Sequence, residues 1–485
     1  MKFGIQKGDR ILLMLHRVPE WWILVLGIMK LGAVFCPSPH MMTVKDIAYR
    51  INAGGFKMVI TDRENMAKVD EVAAECPHLQ LRMVVDDNPL ERLSSPWIGY
   101  QHELKYPAPV STKLVATAGR KVLATDPMLI YFTSGTTKDP KMVLHDYGHP
   151  LGQTVTAKFW HDLTDKDVHF TVSDTGWAKC GWGKIYGQWI CGACIFVYDY
   201  RTKFLATELL PLIEKYGITS FCAPPTIYRM LIIADLKKFS FSELRTCTSA
   251  GEPLNPEVIR IWKEGTGITI REGYGQTETC CCLATMPGME VRQGSMGKPV
   301  PGWHIQLHDD EGNEVPQGEI GRIAISLNPR PAGLIREYLD NPEENAAMFV
   351  NGWYYTGDKA RMDEDGYFWF VGRNDDVIKS SGYRISPFEV ESALLEHPAV
   401  KESAVVGSPD DLRGMIIKAF IVLHEGYQPS ERLIKEIQNH VKSTTAPYKY
   451  PRAIEFVTEL PKSFSGKIKR GELRDRELKK YEENN

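Results

Sequence analysis

"YFTSGTTKDPKMVLH", residues 131–145, decides how the rest of the chain is read. Two apolar residues, read as the end of a strand, lead into Thr133, Ser134, Gly135, Thr136, Thr137, Lys138 and Asp139, then Pro140 and Lys141. Gly135 can take backbone angles closed to other residues, so neighbouring amides can turn toward an anion. Four hydroxyls add donors and Lys141 adds a charge. The G-x-x-x-x-G-K of a Walker A loop is absent. Taken alone, the stretch is either a turn that holds phosphates or a polar loop.

The chain around it has 485 residues, too many for one hydrophobic core, so at least two domains are expected. Hydrophobic residues make up 43% and charged residues 25%, an ordinary globular balance. The formal net charge of -3 leaves no excess of Lys and Arg to neutralise a phosphate backbone, which argues against a nucleic-acid partner. The apolar run "WWILVLGIM" falls far short of the roughly 20 residues of a bilayer span, and no secretion signal is visible. The ten cysteines are irregularly spaced and read as reduced thiols, and a cytoplasmic protein is expected. Cys191 and Cys194 form one C-x-x-C, but no second pair follows, so they read as small apolar residues.

"PEWWILVLGIMKLG" (19–32) predicts a buried helix opened by Pro19 and closed by Gly32. "FKMVITD" predicts a strand, and "LLPLIEKYGITSFCAPP" a helix that stops at Gly217 before a strand. This alternation continues to about residue 300 and predicts α/β layers on a largely parallel sheet. "IQLHDDEGNEVPQGEIGRIAI" then reads as strand, turn, strand. From about 376 the texture is a small α+β unit: helix 386–396, strands 400–406 and 416–423, helix 430–442. A solvated helix is expected over 471–481.

Six motifs together carry more than any one. "YFTSGTTKDPK", "SAGEPL" (249–254), "EGYGQTE" (272–278), "GWYYTGD" (352–358), "GRNDDVIKSSGYRISPFEVE" (372–391) and "PKSFSGKIKR" (461–470) resemble, in order and spacing, those of the adenylate-forming, AMP-binding superfamily. "SDTGWAKCGWGKIYGQWICGACIFVY" (173–198) and "APYKYPRAIEFV" (446–457) are most similar to medium-chain acyl-CoA synthetases. The resemblance implies a large N-terminal domain (1–374) of stacked α/β layers with a small β-barrel-like part, and a small mobile α+β lid (375–485). It implies ATP, Mg²⁺ and coenzyme A as cofactors and a small carboxylic acid as substrate. The acid is first joined to AMP with loss of pyrophosphate, then passed to the CoA thiol.

The resemblance also implies roles. Two anions must meet, so catalysis rests on positioning and positive charge. Lys467 becomes the catalytic lysine between carboxylate and α-phosphate, where Lys469 or Lys479 would read as solvated tail. Residues 133–141 cradle the phosphates. Thr277 donates to the α-phosphate and Glu278 holds Mg²⁺. Asp358 accepts the ribose hydroxyls and Arg373 is the matching cation. Gly251, Glu252 and Pro253 lie on one side of adenine, with Glu272, Gly273, Tyr274, Gly275 and Gln276 on the other. Asp375 is the hinge. Ser381, Gly382 and Tyr383 line the pantetheine tunnel, Arg384 returns to the phosphate, and Arg413, Ser443 and Arg452 face the CoA phosphates. In acetate-specific relatives a Trp stands where this chain has Gly275. The glycine leaves room, so a medium-chain, branched or aromatic acid is implied. Trp177 and Trp182 both lie in the segment that lines this pocket, either as wall or as core.

Three departures stand out. Lys138 and Met142 replace family glycines. "MKFGIQKGDRILLML" resembles a point well inside the usual N-terminal domain. That start fits a fragment or a natural short form. In the second case an exposed apolar face needs a partner subunit, such as a second copy in a homo-oligomer. The alternatives to a CoA ligase are an adenylating enzyme with another acceptor and an inactive acyl-nucleotide-binding fragment.

Overall fold

The computed structural model describes residues 3–107, 122–133, 140–201, 205–252, 254–373, 376–380, 383–410, 414–445, 447–462 and 467–484. Short apolar runs form the first sheet: β1 (Arg10–Met14), β2 (Val34–Pro37), β3 (Met58–Thr61), β4 (Leu81–Val84), β5 (Trp97–Gly99), β6 (Pro127–Phe132) and β7 (Met142–Asp146). VFCP and MVIT are buried at every position. Such unbroken apolar strands suit a sheet covered on both faces. Helix α1 (Pro19–Leu31) is one cover; Gly32, at φ 71°, closes it by donating its N–H to Ile28 and Met29. Its Trp22 indole donates to the Lys184 carbonyl at 2.7 Å, tying the first sheet to the segment after Trp177.

The sheet order is Glu337–Tyr338, β7, β6, β2, β1, β3, β4, β5. The pairs β1–β2, β1–β3, β2–β6, β3–β4 and β4–β5 are parallel, as expected. β6–β7 is antiparallel. The connection between Phe132 and Met142 is too short for a crossover, so the chain must turn straight back. That hairpin carries the stretch quoted at the outset.

A second sheet of 12 strands has two halves. Val168–Thr171, Cys194–Phe196, Ser220–Cys222, Thr246–Ala250 and Ile270–Tyr274 pair in parallel. Leu283–Ala284, Ser295–Pro299, Phe368–Arg373, Trp353–Met362, Ile320–Ser326 and Ile305–His308 continue it antiparallel. The change occurs right after Tyr274, so the "YGQTE" turn sits at the seam.

The C-terminal part has its own core. Val400–Asp410, Gly414–Leu423 and Ala453–Phe456 form a three-stranded sheet covered by helices Pro387–Leu395, Glu431–Thr444 and Arg470–Asn484. The helices and strands predicted from 386 onward are found within a few residues. All ten cysteines are free thiols; eight are buried, Cys191 is half-buried and Cys194 exposed. No helix among the described residues is long and apolar enough to cross a membrane.

Candidate active site

The mouth of the 131–145 hairpin is closed by the Thr133 amide donating to the Lys141 carbonyl at 2.9 Å. Ser134, Gly135, Thr136, Thr137, Lys138 and Asp139 lie outside the described residues, as do Pro253, Asp375, Ser381, Gly382 and Arg413. At the C-terminal side of the loop the Pro140 carbonyl accepts the Tyr49 hydroxyl at 3.0 Å. The Lys141 ammonium pairs with Glu344 and lies 5.6 Å from the centre of the Tyr338 ring.

The turn that follows Tyr274 faces this hairpin and is fixed from several directions. The Gln276 amide donates to Thr279 Oγ1 at 2.9 Å, and Ile335 donates to the Glu278 carbonyl at 2.6 Å. His145, from β7, contacts the Thr277 carbonyl at 2.8 Å. The Tyr338 hydroxyl donates to Glu278 Oε1 at 2.9 Å and sits 3.2 Å from the Tyr354 hydroxyl. Burial raises the Glu278 pKa against these bonds. A carboxylate in dry surroundings gains most from a cation.

Asp358 lies at the centre. Its Oδ2 accepts the Tyr274 hydroxyl at 2.6 Å and the Gln276 amide at 2.7 Å, and Arg373 Nε stands 3.7 Å from Oδ1. Asp358 and Arg373 are register partners on adjacent strands, so sheet geometry alone brings them together. Burial raises the Asp358 pKa, opposed by Arg373, the two hydrogen bonds and Lys467.

The adenine strip departs from expectation at Glu272. Leu254 and Gly294 amides donate to its two oxygens at 2.9 and 3.2 Å. Burial pushes its pKa up to about 7. Glu272 therefore anchors the strip rather than facing a base. Gly251 has φ 110°, a conformation closed to most side chains. Glu252 accepts from Thr226 at 2.9 Å and pairs with Arg229 at 3.0 Å. Gly273 is small because Trp160 and Cys281 press on it; a methyl there would come within 2.6 Å of the indole.

Lys467 reaches this cluster from the C-terminal part. Its surface is exposed, yet the protein atoms around its ammonium, with Arg373, lower its pKa, while Glu252, Asp358 and Glu278 pull it back. The segment carrying it is clamped: Lys462 and Ile468 form an isolated bridge, and Arg470 pairs with buried Glu391 through Nε at 3.0 Å and Nη2 at 2.5 Å.

Lys179 was not singled out from sequence. Its ammonium donates to the Ala250 carbonyl, and burial, helped by the Lys467 charge, lowers its pKa to about 8. The available signal was a lysine inside the apolar "TGWAKCGWG". Tyr338, Glu344 and His145 were also missed, since none belongs to a quoted motif's polar core.

The expected room beside Gly275 is not there. A methyl on Gly275 would sit 2.2 Å from the Cys280 carbonyl oxygen and 2.6 Å from the Trp182 ring. Trp182 is 6% exposed and stands T-shaped to Trp160 at 6.2 Å. The space beside Gly275 is filled by Trp182. Trp177, the half-buried N-cap of Ala178–Gly183, is not the residue over Gly275.

Of the residues expected at CoA, Tyr383 and Arg384 lie on a two-stranded hairpin opposite Ser380 and Lys379. Arg452 and Lys442 flank the Tyr450 ring at 5.0 and 4.0 Å. Ser443, next to Lys442, spends its hydroxyl proton on the His440 carbonyl at 2.8 Å.

Sequence patterns of known families match the chain twice: AMP-binding enzyme over residues 1–339, and AMP-binding enzyme C-terminal domain over 389–467. Among curated proteins it is similar to acyl-coenzyme A synthetase ACSM3, mitochondrial, of Rattus norvegicus, at 48% identity over 98% of this chain and 80% of that protein. ACSM4 of Mus musculus and ACSM5 of Homo sapiens, also mitochondrial by name, each share 47% over the same fractions. The fold is similar to that of the anthranilate CoA ligase AuaEII bound to anthranoyl-AMP: TM-score 0.87, 32% identity, 98% of this chain and 89% of that chain. A benzoate CoA ligase from Burkholderia xenovorans LB400 gives 0.83 at 29%, over 98% and 91%. The mitochondrial names of these relatives overturn the expectation of a cytoplasmic location.

Proposed function

Because the chain belongs to the AMP-binding enzyme family and is an AMP-forming acid–CoA ligase, we propose how its residues divide the work and which acids it takes. Lys467, brought from the C-terminal part into the field of Glu252, Asp358 and Glu278, is the observation that supports this reading most. The acid's carboxylate attacks the α-phosphorus of ATP, and pyrophosphate leaves. Charge builds on the oxygens between the two, where Lys467 and Lys179 supply fixed cations. Asp358, already accepting from Tyr274 and Gln276, holds the ribose diol. Arg373 neutralises it so that the pocket tolerates the buried carboxylate.

Among the described residues no group of three or more His, Cys, Asp or Glu could hold a metal. A magnesium carried by the triphosphate needs only one or two protein carboxylates. Glu278 fits: burial disfavours its charge until a cation arrives, and Tyr338 fixes its orientation. The metal would neutralise the phosphates there.

In the second half-reaction the lid turns near residue 375, and the thiol of CoA displaces AMP from the acyl-adenylate. Tyr383 belongs to the pantetheine's approach, and Arg384 returns to the phosphate. The Lys442–Tyr450–Arg452 surface, with Ser443, takes the nucleotide phosphates. The acid is medium-chain, branched or aromatic, bounded by Trp182. Relatives named for anthranilate and benzoate ligation support an aromatic member of this class.

The experiment is pyrophosphate release across straight-chain and aromatic acids, with and without CoA. Release that needs an acid, with thioester only when CoA is present, is the expected result. Release that continues with an alternative acceptor and no CoA dependence of product would point to another adenylating class.

A further inference from the structure

His145 is the fourth residue of β7, completely buried, four positions after Lys141. Its Nε2 lies 2.8 Å from the Thr277 carbonyl oxygen. A carbonyl only accepts, so Nε2 carries the proton and Nδ1 the lone pair. Among the described residues Nδ1 has no hydrogen-bond partner. The ring is gripped on both sides, by His149 at 4.1 Å and by Tyr131 at 6.2 Å in a T-shaped contact. It therefore has one orientation, and that orientation serves one carbonyl.

That carbonyl belongs to the turn that presents Thr277 and Glu278. β7 is also the outgoing arm of the phosphate hairpin, and its other neighbour is Glu337–Tyr338, register partners of Leu144 and Val143. Tyr338 in turn donates to Glu278. One strand thus carries the phosphate loop at its start, the Thr277 anchor near its end, and the Glu278 anchor on its neighbour. None of the six motifs calls for a histidine here, and the chemistry gives it no proton to move.

We infer that His145 is a positioning residue for adenylation: its Nε2–H fixes the Thr277 peptide so that Thr277 and Glu278 meet the triphosphate held by the hairpin. The inference rests on the reading of Thr277 and Glu278 as triphosphate and metal contacts. Burial keeps the imidazole uncharged at working pH, its pKa lowered to about 4. The contact is thus a neutral hydrogen bond that adds no charge beside the phosphates.

The test uses three substitutions. His145→Phe keeps the ring and removes the donor. His145→Gln returns an N–H close to the Nε2 position, and His145→Asn places it near Nδ1 instead. Losing a buried donor opposite a carbonyl should cost about 10–100-fold in kcat/KM for adenylation in the Phe and Asn variants. The Gln variant should recover most of it. Thioester formation from supplied acyl-adenylate should fall clearly less than adenylation in the Phe and Asn variants, since that step keeps the α-phosphate contact of Thr277 but no longer needs the β- and γ-phosphates or the metal contact of Glu278. Calorimetric binding of ATP with Mg²⁺ should weaken in Phe and Asn, and less so with EDTA. If Gln and Asn are equally impaired, or both half-reactions fall alike, His145 is a core residue only and the inference is overturned. Should the Phe variant not fold, the Gln–Asn contrast decides alone. A wild type that binds ATP with Mg²⁺ but adenylates no acid would sink the parent reading, while the binding arm still judges His145.

Discussion

At the residue scale, the role proposed for Lys467 makes it the side chain on which rate should depend. On that proposal, replacing it with alanine removes the cation between carboxylate and α-phosphate. Loss of one such preorganised group costs on the order of hundreds-fold. Adenylation should fall by that factor, and thioester formation from supplied acyl-adenylate should not. Separate assays of the two half-reactions decide it, and an equal loss in both would remove Lys467 from the first step. Its lowered pKa adds a direction: the ammonium deprotonates below lysine's ordinary 10.5, so the alkaline limb of adenylation should begin early and vanish in the alanine variant. Gly275 and Trp182 form the second residue-scale case. Gly275→Ala should destabilise the protein by roughly 1–3 kcal/mol, because the methyl meets backbone at 2.2 Å. Trp182→Ala should instead open volume and shift kcat/KM toward longer or bulkier acids. An unchanged acid profile in that variant would mean that Trp182 does not bound the acid.

At the scale of elements, the clamp on the Lys467 segment is a salt bridge with little water around it. Glu391 is 4% exposed, accepts the Val405 amide at 2.7 Å and holds Arg470. Glu391→Ala strands both partners and should cost about 3–5 kcal/mol, within the usual range for breaking a buried pair. Thermal melting should show it, with adenylation impaired more than substrate binding to the N-terminal part. A variant as stable as wild type would show that the helix from Arg470 needs no such anchor. The elements themselves were legible wherever hydrophobic period and punctuation agreed. Gly32 and Gly217 stop their helices, both at positive φ. The polar motifs were legible because phosphate chemistry constrains residue type. What could not be read was depth. Nothing in "EGYGQTE" says that Glu272 turns inward to two amides while Tyr274 turns to Asp358. Likewise the free space imagined beside Gly275 depended on Trp182, far away in sequence and adjacent in space. His145 and Tyr338 escaped because their partners are backbone or distant carboxylate, which leave no local pattern.

For the whole molecule, four buried histidines govern the response to acid. Burial lowers the pKa of His145 to about 4 and of His169 to about 3, and carries His149 and His161 well below the ordinary value. In the unfolded chain each takes a proton near pH 6.5. Folded-state pKa values below unfolded ones mean that stability is whole above about pH 6.5 and is lost as pH falls toward 4. Each group contributes about 1.4 kcal/mol per pH unit within that window. Glu272 works the other way: its folded pKa of about 7 exceeds the unfolded value, so its share is lost as pH rises from 4.5 to 7. Glu278, Asp358 and Asp62, also raised by burial, side with Glu272. His16, His308 and His397, also lowered by burial, side with the four histidines. The histidines outnumber the carboxylates and leave a net loss on acidification. Denaturant midpoints measured from pH 7 to 4.5 should fall, and a flat profile would mean the histidines are hydrated or already charged in the fold.

The distribution of thiols gives the protein a chronometer. Burial pushes the Cys180, Cys247 and Cys282 pKa values up to about 12 and carries those of Cys280 and Cys281 well above the ordinary thiol value, so these five are silent toward alkylating reagents while folded. Cys194 lies in the open. A short pulse of reagent should mark Cys194 at once. Label on the 280–282 run would accumulate only when the seam between parallel and antiparallel strands comes apart. The ratio of the two marks, read by mass spectrometry, would time the opening of the catalytic half of the molecule without an introduced probe.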